Sequence, residues 1–399
     1  MHVQLLRLSP RVLREPKSFT GERFPVERNR SYFVVNENKQ QQQQKRGETP
    51  TMSSTRPNLA VQIAVQWVAW ALSAGMTIFL LPFLILFWLW SALTDYSDTV
   101  KKKDKSNSKR SLVSRGLGTS QFVQLKDVSI HYIAAGDRSR PLMLCLHGFP
   151  EFWFSWRHQL EEFSSTHWVV AVDLRGYGDS DKPNGRNAYK MDKLVGDVCQ
   201  IIDILGNGKC DVLLAHDWGA GIAWELVIRH PQLVRQFVPM NCPHPAAFVE
   251  VISTEFSQIC KSWYMIFFQL PIVPELLLTA FGASLFCWVF QRPGLEPKDA
   301  KAYLDLYQRP SDLTGPINYY RSMIDPDTMG QPGKKVKVPT LLIWGGEDRF
   351  LNISMAHQSA KWAENFTLGL IPEASHWVQQ DAPRSVNQKI RAFLKKGNL

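Results

Sequence analysis

The sequence lacks the cysteine and histidine spacings that mark metal or redox sites. None of its six cysteines forms a Cys-x-x-Cys pair, and neither they nor the ten histidines show a zinc-ligand spacing. No internal repeat is evident either. We therefore expect free thiols in a reducing compartment, and no metal or organic cofactor.

Most of the sequence also lacks an excess of positive charge. The net charge is +10, but residues 1–110 hold 17 Lys/Arg against 8 Asp/Glu, which leaves the other 289 residues nearly neutral. A basic face for DNA or RNA is thereby excluded from the main part of the chain, and we expect no nucleic-acid partner.

Charge of either sign is absent from residues 57–94, a run of 38 residues. Its apolar part, 67–93, exceeds the about 20 residues that cross a hydrocarbon core of ~30 Å. It begins too late and runs too long for a signal peptide. Residues 57–94 are therefore predicted to be a single-pass membrane anchor in contact with lipid; a peripheral or buried helix, or a re-entrant hairpin, is the alternative.

The segments around this anchor are polar. Residues 1–56 are basic, include five consecutive glutamines and are predicted to be disordered, and Met52 is an alternative start. Residues 95–120 are predicted to be a charged linker. Its cluster of Lys/Arg at 101–110 favours a cytosolic position for the following domain. The endoplasmic reticulum is the expected membrane. Basic residues before the anchor and two glycosylation sequons, at Asn352 and Asn365, leave this orientation open.

From residue 121 onward, short apolar runs alternate with helical patterns. This alternation predicts an α/β domain with a mostly parallel sheet flanked by helices, built from residues 121–244 and 334–399. The alternation stops over 245–333, which is predicted to be an inserted helical lid. The predicted strands are Pro141–Leu146, Trp168–Val172, Val212–Leu214, Phe237–Met240, Thr340–Trp344 and Thr367–Ile371.

A catalytic motif follows the third of these apolar runs. Residues 215–219 (AHDWG) have the form small-x-nucleophile-x-Gly of a strand-turn-helix elbow, with Asp217 in the nucleophile position. An ionised aspartate attacks a saturated carbon without a base and forms an ester that water can cleave. A serine would form an ether there. Asp217 therefore indicates displacement at carbon, as in epoxide opening or dehalogenation.

Other candidate residues stand where predicted strands end. The backbone N–H groups of Phe149 and Trp218 are positioned to form an oxyanion hole. Asp348 and His376 complete the order nucleophile, acid, histidine of an α/β-hydrolase. Glu347 is the alternative acid. The loop 173–180 and three residues near the motifs are expected to be structural: Cys145, His147 and His216.

The chain resembles the α/β-hydrolase-fold epoxide hydrolases, and most closely their membrane-anchored, soluble-type members. The resemblance covers residues 115–395, about 70% of the chain. It differs at Ala215, where family members usually have glycine, and Phe149 separates it from the microsomal branch. The matching segments are HGFPEFWFSW (147–156), DLRGYGDS (173–180), HDWG (216–219), LLIWGGEDRF (341–350) and ASHWVQQDAP (374–383).

The resemblance implies a function and further site residues. Tyr264 and Tyr320 match two lid tyrosines that bind and protonate the epoxide oxygen, with Tyr319 as the alternative to Tyr320. The expected reaction is hydrolysis of lipophilic epoxides, above all of fatty acids, to vicinal diols, with roles in lipid metabolism and detoxification. The expected substrate-binding aromatic residues are Trp153, Trp218, Phe267, Phe268 and Trp377.

Two other functions stay open from the sequence. A haloalkane dehalogenase shares the aspartate nucleophile, but it has no use for the two tyrosines, and Phe149 stands where a halide-binding Asn often lies. A catalytically silent, membrane-anchored lipid-binding protein would tolerate loss of the triad, yet Asp217, Asp348 and His376 are all present. The oligomeric state is not predicted.

Overall fold

The computed structural model describes residues 116–279, 295–323 and 333–396, together with Ala71 and Gly75. The predicted tail (1–56) lies outside these residues. So do nearly all of the predicted anchor (57–94) and most of the predicted linker (95–120). None of the helices in the described ranges has the length and apolar character needed to cross a bilayer.

An eight-stranded sheet forms the centre of the described domain, in the order β1-β2-β4-β3-β5-β6-β7-β8. β2 pairs antiparallel with β1 and with β4, whereas every pair from β4 to β8 is parallel. The mostly parallel sheet confirms the predicted α/β class. The strands are β1 (Thr119–Gln124), β2 (Ser129–Ala135), β3 (Leu142–Leu146), β4 (Trp168–Val172), β5 (Cys210–His216), β6 (Val234–Met240), β7 (Thr340–Gly345) and β8 (Phe366–Ile371).

Burial explains which strands the sequence reveals. Every residue of β3, β4 and β7 is buried, as expected for parallel strands covered by helices on both faces. The apolar runs accordingly predict the six strands from β3 to β8. They do not predict β1, because five of its six residues are exposed, or β2, because Ser129 and His131 interrupt its apolar pattern.

Helices cover both faces of the sheet, and their apolar sides pack on it in two large hydrophobic clusters. The described helices are α1 (Arg157–Phe163), α2 (Met191–Gly206), α3 (Asp217–Arg229), α4 (Pro245–Thr254), α5 (Phe256–Lys261), α6 (Trp263–Phe267), α7 (Val273–Thr279), α8 (Pro297–Leu304), α9 (Pro310–Met323), α10 (Ser354–Ser359), α11 (Val378–Asp381) and α12 (Pro383–Lys396).

The chain between β6 and β7 is helical where it is described. Helices α4 to α9 lie here, and the described residues of this segment contain no strand. This is where the sequence loses its alternation of strand and helix. Both predicted lid tyrosines belong to the segment: Tyr264 is on α6 and Tyr320 is on α9.

The order of strands places a crevice between β3 and β5. After β3 the chain adds β4 on one side and then returns to add β5 on the other side. At such a reversal the loops that follow the two strands diverge, and ligands of open α/β sheets bind there, beyond the carboxyl ends of the strands. The loop after β3 contains Phe149, and the turn after β5 contains Asp217.

Candidate active site

Asp217 stands at a sharp turn between β5 and α3. Its φ is +47°, a left-handed conformation that a non-glycine residue adopts at a cost of about 1–3 kcal/mol. Gly219 makes the turn possible, because a Cβ there would lie 2.4 Å from the carbonyl oxygen of Leu146 and 2.5 Å from that of His147. Ala215 is completely buried and fits without a positive φ. The elbow holds the Asp217 side chain toward the loop after β3.

That loop supplies a backbone donor to the carboxylate. The Phe149 N–H donates to Asp217 Oδ1 over 2.8 Å. Gly148 allows the approach, since a Cβ there would lie 2.4 Å from Asp217 Cβ. The Trp218 N–H is among the first amides of α3, which have no partner inside the helix. Its share in an oxyanion hole stays a prediction.

His376 lies between two carboxylates. Its Nε2 is 3.4 Å from Asp217 Oδ2, and its Nδ1 is 2.7 Å from Asp348 Oδ2. Asp348 Oδ1 also accepts the backbone N–H groups of Phe350 and Leu351, over 2.8 Å and 3.0 Å. Glu347, the alternative acid, is exposed. The structure thus brings Asp217, His376 and Asp348 into one hydrogen-bonded row.

The three groups shift one another's pKa values. Burial alone would raise the pKa of Asp217, but the hydrogen bond and the charge of His376 hold it below its ordinary value. Burial alone would also raise the pKa of Asp348, but the charge and the hydrogen bond of His376 hold it below its ordinary value. Burial alone would lower the pKa of His376, but the charge of Asp348 and the hydrogen bonds to both carboxylates raise it to about 10. At neutral pH the resting row therefore contains two carboxylates and one imidazolium.

Asn241 is a site residue that the sequence does not reveal. It follows β6 with a φ of +43°, and its Nδ2 donates to Asp348 Oδ2 over 2.8 Å. Its Oδ1 accepts the N–H of Gly345 over 2.9 Å. Asn241 thus fixes the acid to the end of β7. The only sequence feature that points to Asn241 is its place as a polar residue directly after β6, the strand beside β7.

A second buried pair braces the same region. Glu151 and His216 are both fully buried, with 2.6 Å between Glu151 Oε2 and His216 Nδ1. Glu151 Oε2 also accepts the N–H of Gly148 over 3.0 Å. His216 Nε2 lies 2.8 Å from the carbonyl oxygen of His376, and since a carbonyl only accepts, Nε2 bears the hydrogen. The Glu151 carboxylate, through His216, thus links the loop of Phe149 to the backbone of His376.

Tyr264 and Tyr320 face each other above Asp217. Their ring centroids are 5.8 Å apart, and the Tyr320 ring is 5.0 Å from that of Trp218. Burial, and next the charge of Asp217, raise the pKa of both phenols well above the ordinary value, so both hydroxyls keep their hydrogen. Tyr319, the alternative, points elsewhere, because its hydroxyl donates to the carbonyl oxygen of Arg175 over 2.8 Å.

Two of the other predicted aromatic residues contact this group. The Phe268 ring lies 4.8 Å from Tyr320 and 5.4 Å from Phe149, and the Trp377 ring lies 5.3 Å from that of His376. The Phe267 ring packs on Phe268, with 5.7 Å between the ring centroids. The Trp153 ring packs instead on Phe152 and Phe154, and the backbone N–H of Trp153 donates to Asp173 Oδ1.

One group of described side chains has the proximity expected of metal ligands: His131, Asp173 and Asp179. Its central carboxylate is already used. Asp173 Oδ2 is 2.8 Å from His131 Nδ1 and accepts the N–H of Asp179, and Asp173 Oδ1 accepts the N–H of Trp153. These bonds hold the loop after β4, so the group has a structural explanation.

Comparison with known proteins places this arrangement in a family. Residues 141–383 match the alpha/beta hydrolase fold family. The chain is 39% identical to epoxide hydrolase 4 of Mus musculus, over 86% of this chain and 99% of that protein. It is 40% identical to epoxide hydrolase 3 of Xenopus tropicalis, over 72% of this chain and 81% of that protein.

Solved structures give the same result. An epoxide hydrolase of Bacillus megaterium, solved with an inhibitor, superimposes with a TM-score of 0.64 at 33% identity, over 69% of this chain and all of that one. An epoxide hydrolase of Vigna radiata superimposes with a TM-score of 0.60 at 28% identity, over 70% of this chain and 98% of that one. These matches confirm the resemblance drawn from the motifs: the chain belongs to the epoxide hydrolases of the α/β-hydrolase fold.

Proposed function

We propose that this chain hydrolyses lipophilic epoxides, above all those of fatty acids, to vicinal diols through an ester of Asp217. The observation that carries the proposal is the placement of one carboxylate between two kinds of partner. On one side lies the His376–Asp348 pair, at 3.4 Å from Asp217. On the other side lie two tyrosine rings whose phenols stay protonated. A nucleophile, a base and two acids for the leaving oxygen are thus within one pocket.

In the first step, an Asp217 oxygen attacks one epoxide carbon and the C–O bond of the ring breaks. The two tyrosine hydroxyls bind the oxygen as negative charge develops on it, and one of them gives its proton to the alkoxide. The product is a hydroxyalkyl ester of Asp217 and a tyrosinate. The imidazolium proton of His376 then passes to the tyrosinate, which restores the phenol and leaves His376 as a neutral imidazole.

Formation of the ester prepares His376 for the second step. One of the two carboxylates that raise the pKa of His376 is now a neutral ester, so that pKa falls and the ring becomes a base. His376 takes a proton from water, and the hydroxide attacks the ester carbonyl. The Phe149 and Trp218 N–H groups stabilise the oxyanion. The ester bond then breaks, the carboxylic acid formed at Asp217 gives its proton to the leaving alkoxide, and the resting carboxylate and the imidazolium of His376 are restored.

The helices between β6 and β7 act as a lid in this proposal. Supporting observations are that α6 and α9 bring Tyr264 and Tyr320 to the nucleophile, and that Phe268 packs between Phe149 and Tyr320. A pocket lined by such rings favours apolar substrates. Residues 57–94 would hold the domain at a membrane, the endoplasmic reticulum with the domain in the cytosol, close to where lipophilic epoxides dissolve.

A single turnover in water labelled with ¹⁸O tests the ester step. With enzyme in excess, the first diol should contain no label, because its new oxygen comes from Asp217, and the label should appear in that carboxylate instead. Mass spectrometry of the diol and of the peptide containing Asp217 measures both. Label in the diol of the first turnover would show direct attack by water and would contradict the ester.

Tyr320→Phe should lower kcat/KM by about 10²-fold, since one of two acids for the leaving oxygen is lost. Tyr319→Phe is the matched control, because its hydroxyl bonds to Arg175 and its kcat/KM should stay within a few-fold of the parent. Diol formation by both variants, with folding checked by circular dichroism, measures the difference. Equal losses in the two variants would remove Tyr320 from the reaction.

A further inference from the structure

Six large apolar side chains are exposed between residues 249 and 276 of the described chain. Three of them lie on α5 and α6: Phe256 is 76% exposed, Trp263 is 57% exposed and Ile259 is 48% exposed. Ile353 lies close by, because the N–H of Asn352 donates to Gln258 of α5 over 2.8 Å. We call Phe256, Ile259 and Trp263 the outward face.

The outward face reverses the usual pattern of a surface helix. Its residues are spaced by three and four positions, as on one side of a helix, and a single residue separates α5 from α6. Two of the polar residues between them, Gln258 and Ser262, are buried. Gln258 is fully buried, and its Nε2 donates to Ser262 Oγ over 3.0 Å and to the carbonyl oxygen of Phe350 over 2.9 Å. A helical segment that buries Gln258 and exposes two aromatic rings is typical of a surface that contacts an apolar partner.

The same segment borders the active site. Trp263 and Tyr264 are neighbours on α6, yet Trp263 is exposed while the Tyr264 ring lies 5.7 Å from Phe350, whose ring is 5.3 Å from that of His376. The outward face and the catalytic group therefore lie on opposite sides of the single helix α6.

We propose that the outward face docks on the surface of a lipid bilayer, so that epoxides dissolved in the membrane reach the site past α5 and α6. The proposal rests on the membrane attachment proposed above. Residues 95–115 join the uncharged segment to Gly116, and 21 residues extend to at most about 75 Å. Such a tether keeps the domain at a high effective concentration beside the bilayer, where even weak partitioning of a Trp and a Phe is sufficient.

A bilayer explains the outward face better than a second copy of the chain does. Trp and Phe are the residues that amphipathic surfaces insert at a lipid interface. The tether also holds the outward face near the bilayer at any protein concentration, whereas contact with a second copy depends on that concentration. A lipophilic substrate also collects in the bilayer, at the side of the lid that Trp263 and Phe256 occupy.

Photo-crosslinking of the full chain in phosphatidylcholine vesicles tests the docking. A benzoyl-phenylalanine replaces Phe256 or, as the matched control, Phe122, which is 59% exposed on β1. Illumination should give lipid adducts at position 256 and none at 122. Vesicle-bound protein without lipid adducts at 256, or with adducts to a second chain instead, would overturn the proposal. Protein that does not float with the vesicles would overturn both the attachment and the docking.

A kinetic test separates docking from catalysis. The double variant Phe256→Ser with Trp263→Ser should raise KM for an epoxide dissolved in the vesicles by about tenfold, equivalent to ~1.4 kcal/mol. Its kcat/KM for a water-soluble epoxide should stay within twofold of the parent. The control variant Phe122→Ser should stay within twofold of the parent both in KM for the vesicle-dissolved epoxide and in kcat/KM for the water-soluble one. Equal losses on both substrates would assign the outward face to folding and contradict docking. Absence of activity in the parent would count against the proposed hydrolysis alone.

Discussion

Replacing Asp217 with alanine is expected to abolish diol formation, with kcat/KM falling by on the order of 10⁴–10⁶-fold. The side chain is the only part of the catalytic row that becomes bonded to substrate in the proposed reaction. Alanine keeps a Cβ at the elbow, and His376 keeps its partner Asp348; circular dichroism checks that the variant is folded. Mass-spectrometric detection of diol from epoxy fatty acids by the detergent-solubilised full chain measures the loss.

The control is Glu347→Gln, which removes an exposed carboxylate beside Asp348 and should leave kcat/KM within twofold. Diol formation by Asp217→Ala within tenfold of the parent would exclude the ester. A folded parent that forms no diol from fatty-acid or small aromatic epoxides, but binds lipid, would instead indicate a silent binding protein.

The parallel part of the fold is predictable because burial and sequence agree there. Strands covered on both faces must be apolar at every position, so β3, β4 and β7 stand out as uninterrupted runs. β1 lies at the edge of the sheet with only Val123 buried. Its Ser and Gln residues give no alternation, and only its pairing with β2 makes it a strand. Edge strands of this kind are defined by their neighbour and not by their own residues.

The site divides in the same way. Asp217, Phe149, Asp348 and His376 are predictable because each directly follows a strand or a strand-end loop, and parallel strands bring such residues to one edge. Asn241 needs one more fact, that β6 lies next to β7.

The pair of Glu151 and His216 is harder still, because its role depends on a carbonyl oxygen, that of His376. No side-chain pattern encodes a backbone acceptor. The two tyrosines were found through the resemblance alone, since a tyrosine in an apolar helix ordinarily indicates packing. Trp153 stays a predicted substrate-binding residue: its ring packs on Phe152 and Phe154, in the same buried cluster as Phe268 and Tyr320.

His376→Gln should stop the reaction after its first half. Glutamine cannot take a proton from water, so the hydroxyalkyl ester of Asp217 should accumulate, while steady-state diol formation falls by about 10²–10⁴-fold. Intact-protein mass spectrometry after mixing with epoxide should show one added substrate mass. His357→Gln, at an exposed histidine of α10, is the matched control and should behave as the parent does.

The pH dependence of ester breakdown tests why this histidine changes role. In the resting enzyme its pKa is raised to about 10, first by the charge of Asp348 and then by Asp217, so the ring is an imidazolium at neutral pH. Esterification removes the charge of Asp217, which lowers that pKa and frees the base. Parent ester hydrolysis, followed in single turnovers, should therefore rise with pH and level off well below pH 10. In His376→Gln this rise should vanish. A parent profile that still climbs through pH 10 would mean that esterification leaves the pKa of His376 raised, and would contradict the proposed change of role.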